Sequence, residues 1–217
     1  MLKNFENILL TGATGNTAYF FLKKLEEENF LKKITVISRY KSKNSYFNQF
    51  KLKFKILNGD IQDKDFLSKS FDGIDTILNM ANIENSTNII EVGRLKKIKW
   101  FILVHTTMVF SKNSSPRIKN RIKIEKEILE KNSNVTILSS TMIYGTPRDI
   151  NMSRLIKFID KFKIFPIFGN GQNFMQPIYI EDLSRAYFDV IKFKEKTFNK
   201  RYILAGKVPI KYIDILK

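Results

Sequence analysis

The sequence predicts an α/β fold: a doubly wound parallel sheet with a small, partial C-terminal lobe. Two observations carry this. Short runs of Ile, Val, Leu and Phe recur at 8–10, 34–37, 54–57, 76–78, 101–104 and 135–138, with helix-length stretches between most of them. The runs are also mostly apolar, interrupted only by Thr35, Thr76, Thr136 and, in the third run, Lys55. A strand covered on one face alternates apolar and polar residues, whereas one covered by helices on both faces is continuously apolar.

The first run ends in Thr11-Gly12-Ala13-Thr14-Gly15-Asn16-Thr17-Ala18 and passes into a helix with Phe20, Phe21 and Leu25 on its apolar side. Strand, glycine turn and helix together form a site for a dinucleotide phosphate. Gly12 permits the tight turn, Gly15 lacks the Cβ that would hold a pyrophosphate away, and small Ala18 lets the helix approach the sheet. The backbone N–H groups at Thr14, Asn16 and Thr17 then meet the anion at the helix start. The spacing departs from G-x-G-x-x-G, and the competing reading is a tight turn without a ligand; the flanking strand and helix favour the phosphate site.

The second strand ends at Ser38-Arg39. An NAD-selective site places an acidic residue there to bind the ribose 2′-hydroxyl. A guanidinium instead pairs with a 2′-phosphate, so Arg39 points to NADP, with NAD as the second candidate; the alternative is an exposed surface arginine. Residues 40–51 are rich in Lys, Ser and Asn and read as loop or poor helix. The fourth strand ends at Asn79-Met80-Ala81, where small residues and backbone groups either line ribose and pyrophosphate or simply pack. Residues 111–116 form a polar loop beside the expected cofactor mouth. Beyond Gly145 the pattern changes to a helix at 152–162, a Gly169-Asn170-Gly171 turn, a strand at 176–180 and a helix opening at Glu181-Asp182. The expected division is a dinucleotide-binding domain over 1–145 and a partial substrate-binding lobe, integrated with it, over 146–217.

At 217 residues the chain is sized for one core with an appendage. It contains no cysteine and one histidine, His105, which excludes disulfides, thiolate chemistry and histidine- or cysteine-rich metal sites, so no metal is expected. No run reaches the ~20 apolar residues of a membrane span, and the expected location is cytoplasmic. The formal charge of +17 invites a nucleic-acid reading. Its lysines are scattered through every segment without a basic helix or arm, so no specific nucleic acid is expected; attraction to an anionic small-molecule substrate is the milder implication. Either a monomer or a homodimer is expected, since the helical stretches at 86–97 and 117–131 that could pair are lysine-rich.

Five segments together resemble the extended short-chain dehydrogenase/reductase superfamily, and within it the NAD-dependent epimerase/dehydratase group. They are Thr11-Gly12-Ala13-Thr14-Gly15, Asn58-Gly59-Asp60, Asn79-Met80-Ala81, Met142-Ile143-Tyr144-Gly145 and Pro177-Ile178-Tyr179-Ile180-Glu181-Asp182-Leu183. The resemblance implies a Rossmann-type sheet, with Asp60 contacting adenine and Ile61 beside the ring; Asp60 also reads as a helix N-cap. Relatives continue for several elements after the region resembling Arg201-Tyr202-Ile203-Leu204-Ala205-Gly206, so the substrate lobe is expected to be incomplete.

The resemblance also implies a Ser or Thr that orients substrate, a Tyr whose proton moves, and a Lys four residues later that holds the ribose. Thr106 takes the Ser/Thr position, with Thr107 as the close alternative. No tyrosine lies between Tyr46 and Tyr144. Lys119 is placed at the Tyr position and Lys123 at the Lys position; Arg121 with Glu125 fits the same helix one turn over, and an exposed basic face is the plain alternative. Tyr144 substitutes for the missing phenol only if the fold brings it to the nicotinamide. Asn151, Arg154, Gln172, Asn173 and Gln176 are the polar candidates for the substrate side. The implied function is that of an NADP-dependent oxidoreductase, epimerase or dehydratase acting on a nucleotide-activated sugar or similar carbonyl or alcohol. The alternative is a catalytically degenerate NADP-binding sensor or assembly protein.

Overall fold

The computed structural model describes residues 7–30, 32–112, 114–131, 134–149, 151–165, 167 and 169–216. The chain begins with β1 (Ile8–Thr11), α1 (Asn16–Glu27) and β2 (Lys33–Ser38). A 3-10 helix at Lys41–Gln49 is followed by β3 (Lys53–Asn58), α2 (Lys64–Ser70) and β4 (Thr76–Asn79). Next come α3 (Ser86–Leu95), β5 (Trp100–Thr106), α4 (Pro116–Lys131) and β6 (Val135–Ser140). The later elements are β7 (Ile143–Tyr144), α5 (Met152–Phe162), β8 (Phe174–Met175), β9 (Ile178–Tyr179), α6 (Ile180–Lys192) and α7 (Lys194–Thr197). The chain ends in β10 (Arg201–Leu204), β11 (Ile210–Lys211) and α8 (Tyr212–Ile215).

Seven strands form one parallel sheet in the order β10-β6-β5-β4-β1-β2-β3. The six apolar runs predicted as strands are all in it, whereas the expected strand at 176–180 pairs with β7 outside it. The continuous apolar runs are explained by burial on both sides. Leu10 faces a core with Phe21, Leu22, Leu25, Leu183, Tyr187 and Phe188 from α1 and α6. Leu9, its neighbour in sequence, faces Leu67, Ile89, Phe101 and Ile128 on the opposite side. Successive residues of one strand thus enter two cores. Buried Trp100 donates its Nε1–H to Thr136 Oγ1 at 2.9 Å, tying β5 to β6.

The chain winds outward from β1 through β2 and β3 on one side, then returns to β4 and winds out through β5 and β6 on the other. The order therefore reverses between β1 and β4, where Thr11 pairs with Asn79 in register. Ligands of such sheets bind at the carboxyl ends of the strands beside this reversal.

Residues after Gly145 divide between two places. Helix α6 packs on α1, and β10 extends the main sheet beside β6. A separate small lobe contains α5, the antiparallel pair β8–β11, and α8. The expected strand at 176–180 is shorter, because Ile180 already opens α6. The stretch 40–51, expected as loop or poor helix, contains the 3-10 helix Lys41–Gln49, held by Phe47 and by Phe50 just after it in the first core.

Candidate functional site

The turn after β1 is built by close backbone approach. Gly12 has φ +67, and a Cβ placed on it would lie 2.7 Å from Ala81 N and 2.8 Å from Met80 C. Only glycine adopts this conformation at this separation without strain. Gly15 N donates to Gly12 O at 2.9 Å, closing the turn, and no side chain caps α1. The first N–H groups of the helix remain available, and Asn16 and Thr17 line the larger of two cavities.

Asn79 holds the facing loop. It is fully buried, and its Oδ1 accepts from the Thr11 hydroxyl and from Ala81 N, while its Nδ2 donates to Ser86 Oγ at 2.7 Å. Its side chain therefore lies beneath the loop, joining β1, β4 and α3. Met80 and Ala81 present themselves to the groove instead, and Met80 N donates to Thr11 O at 3.2 Å.

Two cavities meet at Ala81. The smaller, about 230 Å³, is lined by Gly12, Thr14, Ser38, Arg39, Ile61 and Ala81. The larger, about 820 Å³, runs from Asn16 and Thr17 past Ala81 to Thr106. Arg39 is 56% exposed, and its Nε lies 3.4 Å from Asp60 Oδ2, so these two residues from the ends of β2 and β3 are brought together. Asp60 Oδ1 accepts from Gln62 N, but the N-cap of α2 is Asp63, which accepts from Asp65 N and Phe66 N. The residues present fit a dinucleotide: a glycine turn admitting close approach, open helix N–H groups, and two cavities that adjoin at Ala81.

The far end of the groove differs from expectation. Thr106 and Thr107 line the larger cavity, and Thr106 Oγ1 accepts from Met108 N at 3.3 Å. Lys119 and Lys123 do not line it; both are exposed, and Lys123 pairs with Glu127 at 3.9 Å. The face of α4 toward the groove has Arg117 and Arg121, four residues apart, with Glu125 one turn further along. The correction follows from packing: buried Ile118, Glu125 and Ile128 fix the rotation of the helix and turn 119 and 123 to solvent. Tyr144 is also displaced, being half-exposed with its ring against Tyr179 at 5.5 Å between centroids and outside the cavity lining. Among the described residues, no tyrosine and no lysine lines the larger cavity.

The alternative register, Arg121 with Glu125, is the one turned inward; Arg117, one turn earlier, is not singled out by the sequence because α4 is basic in both registers. Only its buried neighbours distinguish them. Glu84, in the 3-10 turn before α3, gathers both guanidinium groups: Arg117 Nε lies 2.9 Å from Oε1 and Arg121 Nη2 3.1 Å from Oε2. The Arg117 and Arg121 hydrogen bonds hold the Glu84 carboxyl down at about 2.

Behind Thr106 lies a buried polar cluster. The His105 side chain is 1% exposed, with Nε2 3.6 Å from Glu125 Oε2, too long for a hydrogen bond. Burial, and then the charges of Arg121 and Arg201, push the imidazole down to about 4, so it is neutral near pH 7. Burial pushes the Glu125 carboxyl up despite Arg201 Nη2 at 2.7 Å from Oε1. Of the substrate-side candidates, Asn151 lines the larger cavity and Arg154 a neighbouring apolar one, while Gln176 Nε2 donates to Gly206 O at 2.6 Å. Gln172 and Asn173 line neither.

Solved structures with the same fold come from nucleotide-sugar enzymes. A UDP-glucuronic acid 4-epimerase from Bacillus cereus, in complex with UDP-glucuronic acid and NAD, aligns at TM-score 0.76 and 21% identity over 95% of this chain and 80% of that one. A dTDP-glucose 4,6-dehydratase from Bacillus anthracis in complex with NAD aligns at 0.77 and 16% over 97% and 79%. A UDP-glucose 4-epimerase from Thermotoga maritima with UDP-glucose aligns at 0.74 and 17% over 97% and 80%. At these identities the likeness is one of fold. The family model of the NAD-dependent epimerases and dehydratases matches residues 8–126, from β1 through most of α4. With more than half of the chain matched, including the glycine turn and the strand that ends at Thr106, this protein belongs to the NAD-dependent epimerase/dehydratase family.

Proposed function

We propose that this chain binds a nicotinamide dinucleotide, NADP in preference to NAD, along the carboxyl edge of the sheet, and a nucleotide-activated sugar in the larger cavity. The observation that carries this is the pair of cavities that share Ala81 as a wall, one of them bordered by the Gly12–Gly15 turn. Similar structures that hold NAD together with UDP-sugars support a nicotinamide dinucleotide beside a nucleotide sugar, and Arg39 at the end of β2 is what favours NADP. In this assignment Gly12, Thr14, Gly15, Asn16 and Thr17 receive the pyrophosphate through backbone N–H groups. Met80 and Ala81 border the ribose, and Ile61 lies beside the adenine. Arg39 meets the 2′-phosphate, with Asp60 as its partner when that phosphate is absent. The lobe carrying α5, β8, β11 and α8 closes the sugar side.

On this reading the protein is an oxidoreductase, epimerase or dehydratase, as membership of the family suggests. The cofactor, when bound, supplies hydride acceptance and return. Thr106 hydrogen-bonds the reacting oxygen, and the walls orient the sugar. A second reading, that of a catalytically degenerate NADP-binding sensor or assembly protein, is favoured by the guanidinium pair at the groove. An arginine holds its proton at neutral pH, so it positions an oxygen without accepting the proton that leaves it.

Titration with NADPH and NADH, followed by nicotinamide emission, tests the cofactor assignment. Tighter NADPH binding is expected, and no binding of either would sink both readings. Incubation of the cofactor-bound protein with UDP-sugars then separates them: turnover supports the enzyme, and binding without turnover supports the sensor.

A further inference from the structure

The larger cavity has an unbalanced charge. Arg117, Arg121 and Arg148 border it, Asp149 lies in its wall, and Glu84 pairs with the first two arginines. Three guanidinium groups against two carboxylates leave one positive charge uncompensated. Asp149 is committed elsewhere: Oδ1 accepts from Asn151 N and Ser153 N, and Oδ2 from Ser153 Oγ, at the start of α5. Glu84 occupies one edge of each arginine fork, through Arg117 Nε and Arg121 Nη2.

Both arginines border the cavity. Arg121 is only 14% exposed, and its Nε is buried with no hydrogen-bond partner among the described residues. His105 Nε2 is also buried without a hydrogen-bond partner among the described residues, but it faces Glu125 behind Thr106. An anion at this wall meets two guanidinium groups whose charge the single Glu84 carboxylate only half offsets. Thr106 adds a hydroxyl beside them.

We propose that Arg117 and Arg121 form an anion subsite for a carboxylate on the sugar ligand, so that this chain takes an acidic nucleotide sugar and not a neutral one. The planar fork of a guanidinium matches a carboxylate bidentately. A monoanion neutralises the single excess charge, whereas a phosphate dianion would overshoot it. The inference rests on the nucleotide-sugar reading above and sharpens it. It also gives the departure from tyrosine and lysine a use, since the inward face of α4 binds charge in place of moving a proton.

The test uses a matched pair of probes, UDP-glucuronate and UDP-glucose, which differ only in a carboxylate, titrated calorimetrically into the NADPH-saturated protein. UDP-glucuronate is expected to bind roughly 10- to 100-fold more tightly, the range of a charge-assisted hydrogen-bonded pair. That ratio is expected to fall toward one in Arg121→Gln and to shrink in Arg117→Gln. Arg117 is 64% exposed, so its replacement leaves the fold intact if removal of Arg121 does not. Equal binding of the two probes overturns the carboxylate subsite while leaving the nucleotide-sugar reading standing. Binding of neither overturns both. A ratio that persists in both variants places the selectivity elsewhere and overturns the assignment to these arginines.

Discussion

The two ends of the groove are made of different material. At Gly12 the surface is backbone, held by a φ of +67 and by contact with Met80 and Ala81. At Thr106 it is side chain, carried on one face of α4 and at the end of β5. The first end is constrained by sterics: a Cβ at residue 12 meets the backbone of the neighbouring loop. The second is constrained only by which residues α4 directs inward, and its docking depends on Ile118 and Ile128, which never touch the groove. One end cannot change without distorting the sheet, and the other can be rewritten at two positions.

Rewriting those positions is the largest lever. Arg117→Tyr combined with Arg121→Lys places a phenol and an amine four residues apart on the inward face. Turnover of a nucleotide sugar is expected to rise by about 10²–10⁴-fold, the usual worth of a positioned proton-transfer group. Lys119→Tyr, which already has Lys123 four residues on, puts the same pair on the outward face and is expected to gain nothing. Initial-rate measurement of both variants checks this, and equal rates would remove the distinction between the faces of α4.

A second contrast lies in pH. His105 is held near 4 in the fold against an ordinary 6.5, so below 6.5 the unfolded chain takes up a proton that the folded chain refuses. Stability is therefore complete above 6.5 and falls as pH drops from 6.5 toward 4, by about 3 kcal/mol in all. Glu84, held near 2, adds its own loss only below 4.5. Glu125 works the other way, since its raised carboxyl loses stability as pH rises through its folded pKa. Denaturant midpoints at pH 7 and pH 5 are expected to differ markedly in the native chain and much less in His105→Gln. An unchanged difference would show that another group supplies the slope.

At the backbone end, Gly12→Ala and Gly73→Ala separate two costs. Both glycines have positive φ, +67 and +75, but a Cβ at Gly73 meets nothing within 4 Å. Gly73→Ala is expected to cost about 1 kcal/mol from conformation alone. Gly12→Ala adds the collision with Ala81, for a total of about 1–3 kcal/mol, and weakens NADPH binding as well. Thermal melts with a cofactor titration read both, and equal effects would mean that the close approach at residue 12 is unimportant.

The same division explains what was legible in the sequence. The backbone end was readable because its requirement is local: a strand, a glycine turn and a helix that follow one another in the chain. The sheet was readable because burial on both faces leaves continuous apolar runs. β10 was not among the strands expected, since Arg201-Tyr202-Ile203-Leu204 alternates exposed and half-buried residues at the sheet edge. The rotation of α4 was unreadable because Pro116–Lys131 presents basic residues on nearly every side and buries Glu125 where an apolar residue would mark the inner face. Asn79 stood in the right place for the wrong reason, its amide being spent beneath the loop.

The smallest expected effect concerns Arg39, a side chain at the otherwise backbone-built end. It is more than half exposed and its ion pair with Asp60 is long at 3.4 Å, so it contributes little to the fold. Removing it therefore reports on ligand alone. Arg39→Glu exchanges a partner for a 2′-phosphate for one that accepts from a 2′-hydroxyl, and places a second carboxylate beside Asp60. NADPH affinity is expected to drop by roughly 10-fold or more, with NADH affinity held or improved and the melting temperature unchanged. If both cofactors weaken together, Arg39 contacts something common to the two, and the NADP preference belongs to neither Arg39 nor the end of β2. If neither changes, the adenosine end is specified by backbone alone, and the contrast between the two ends of the groove is complete.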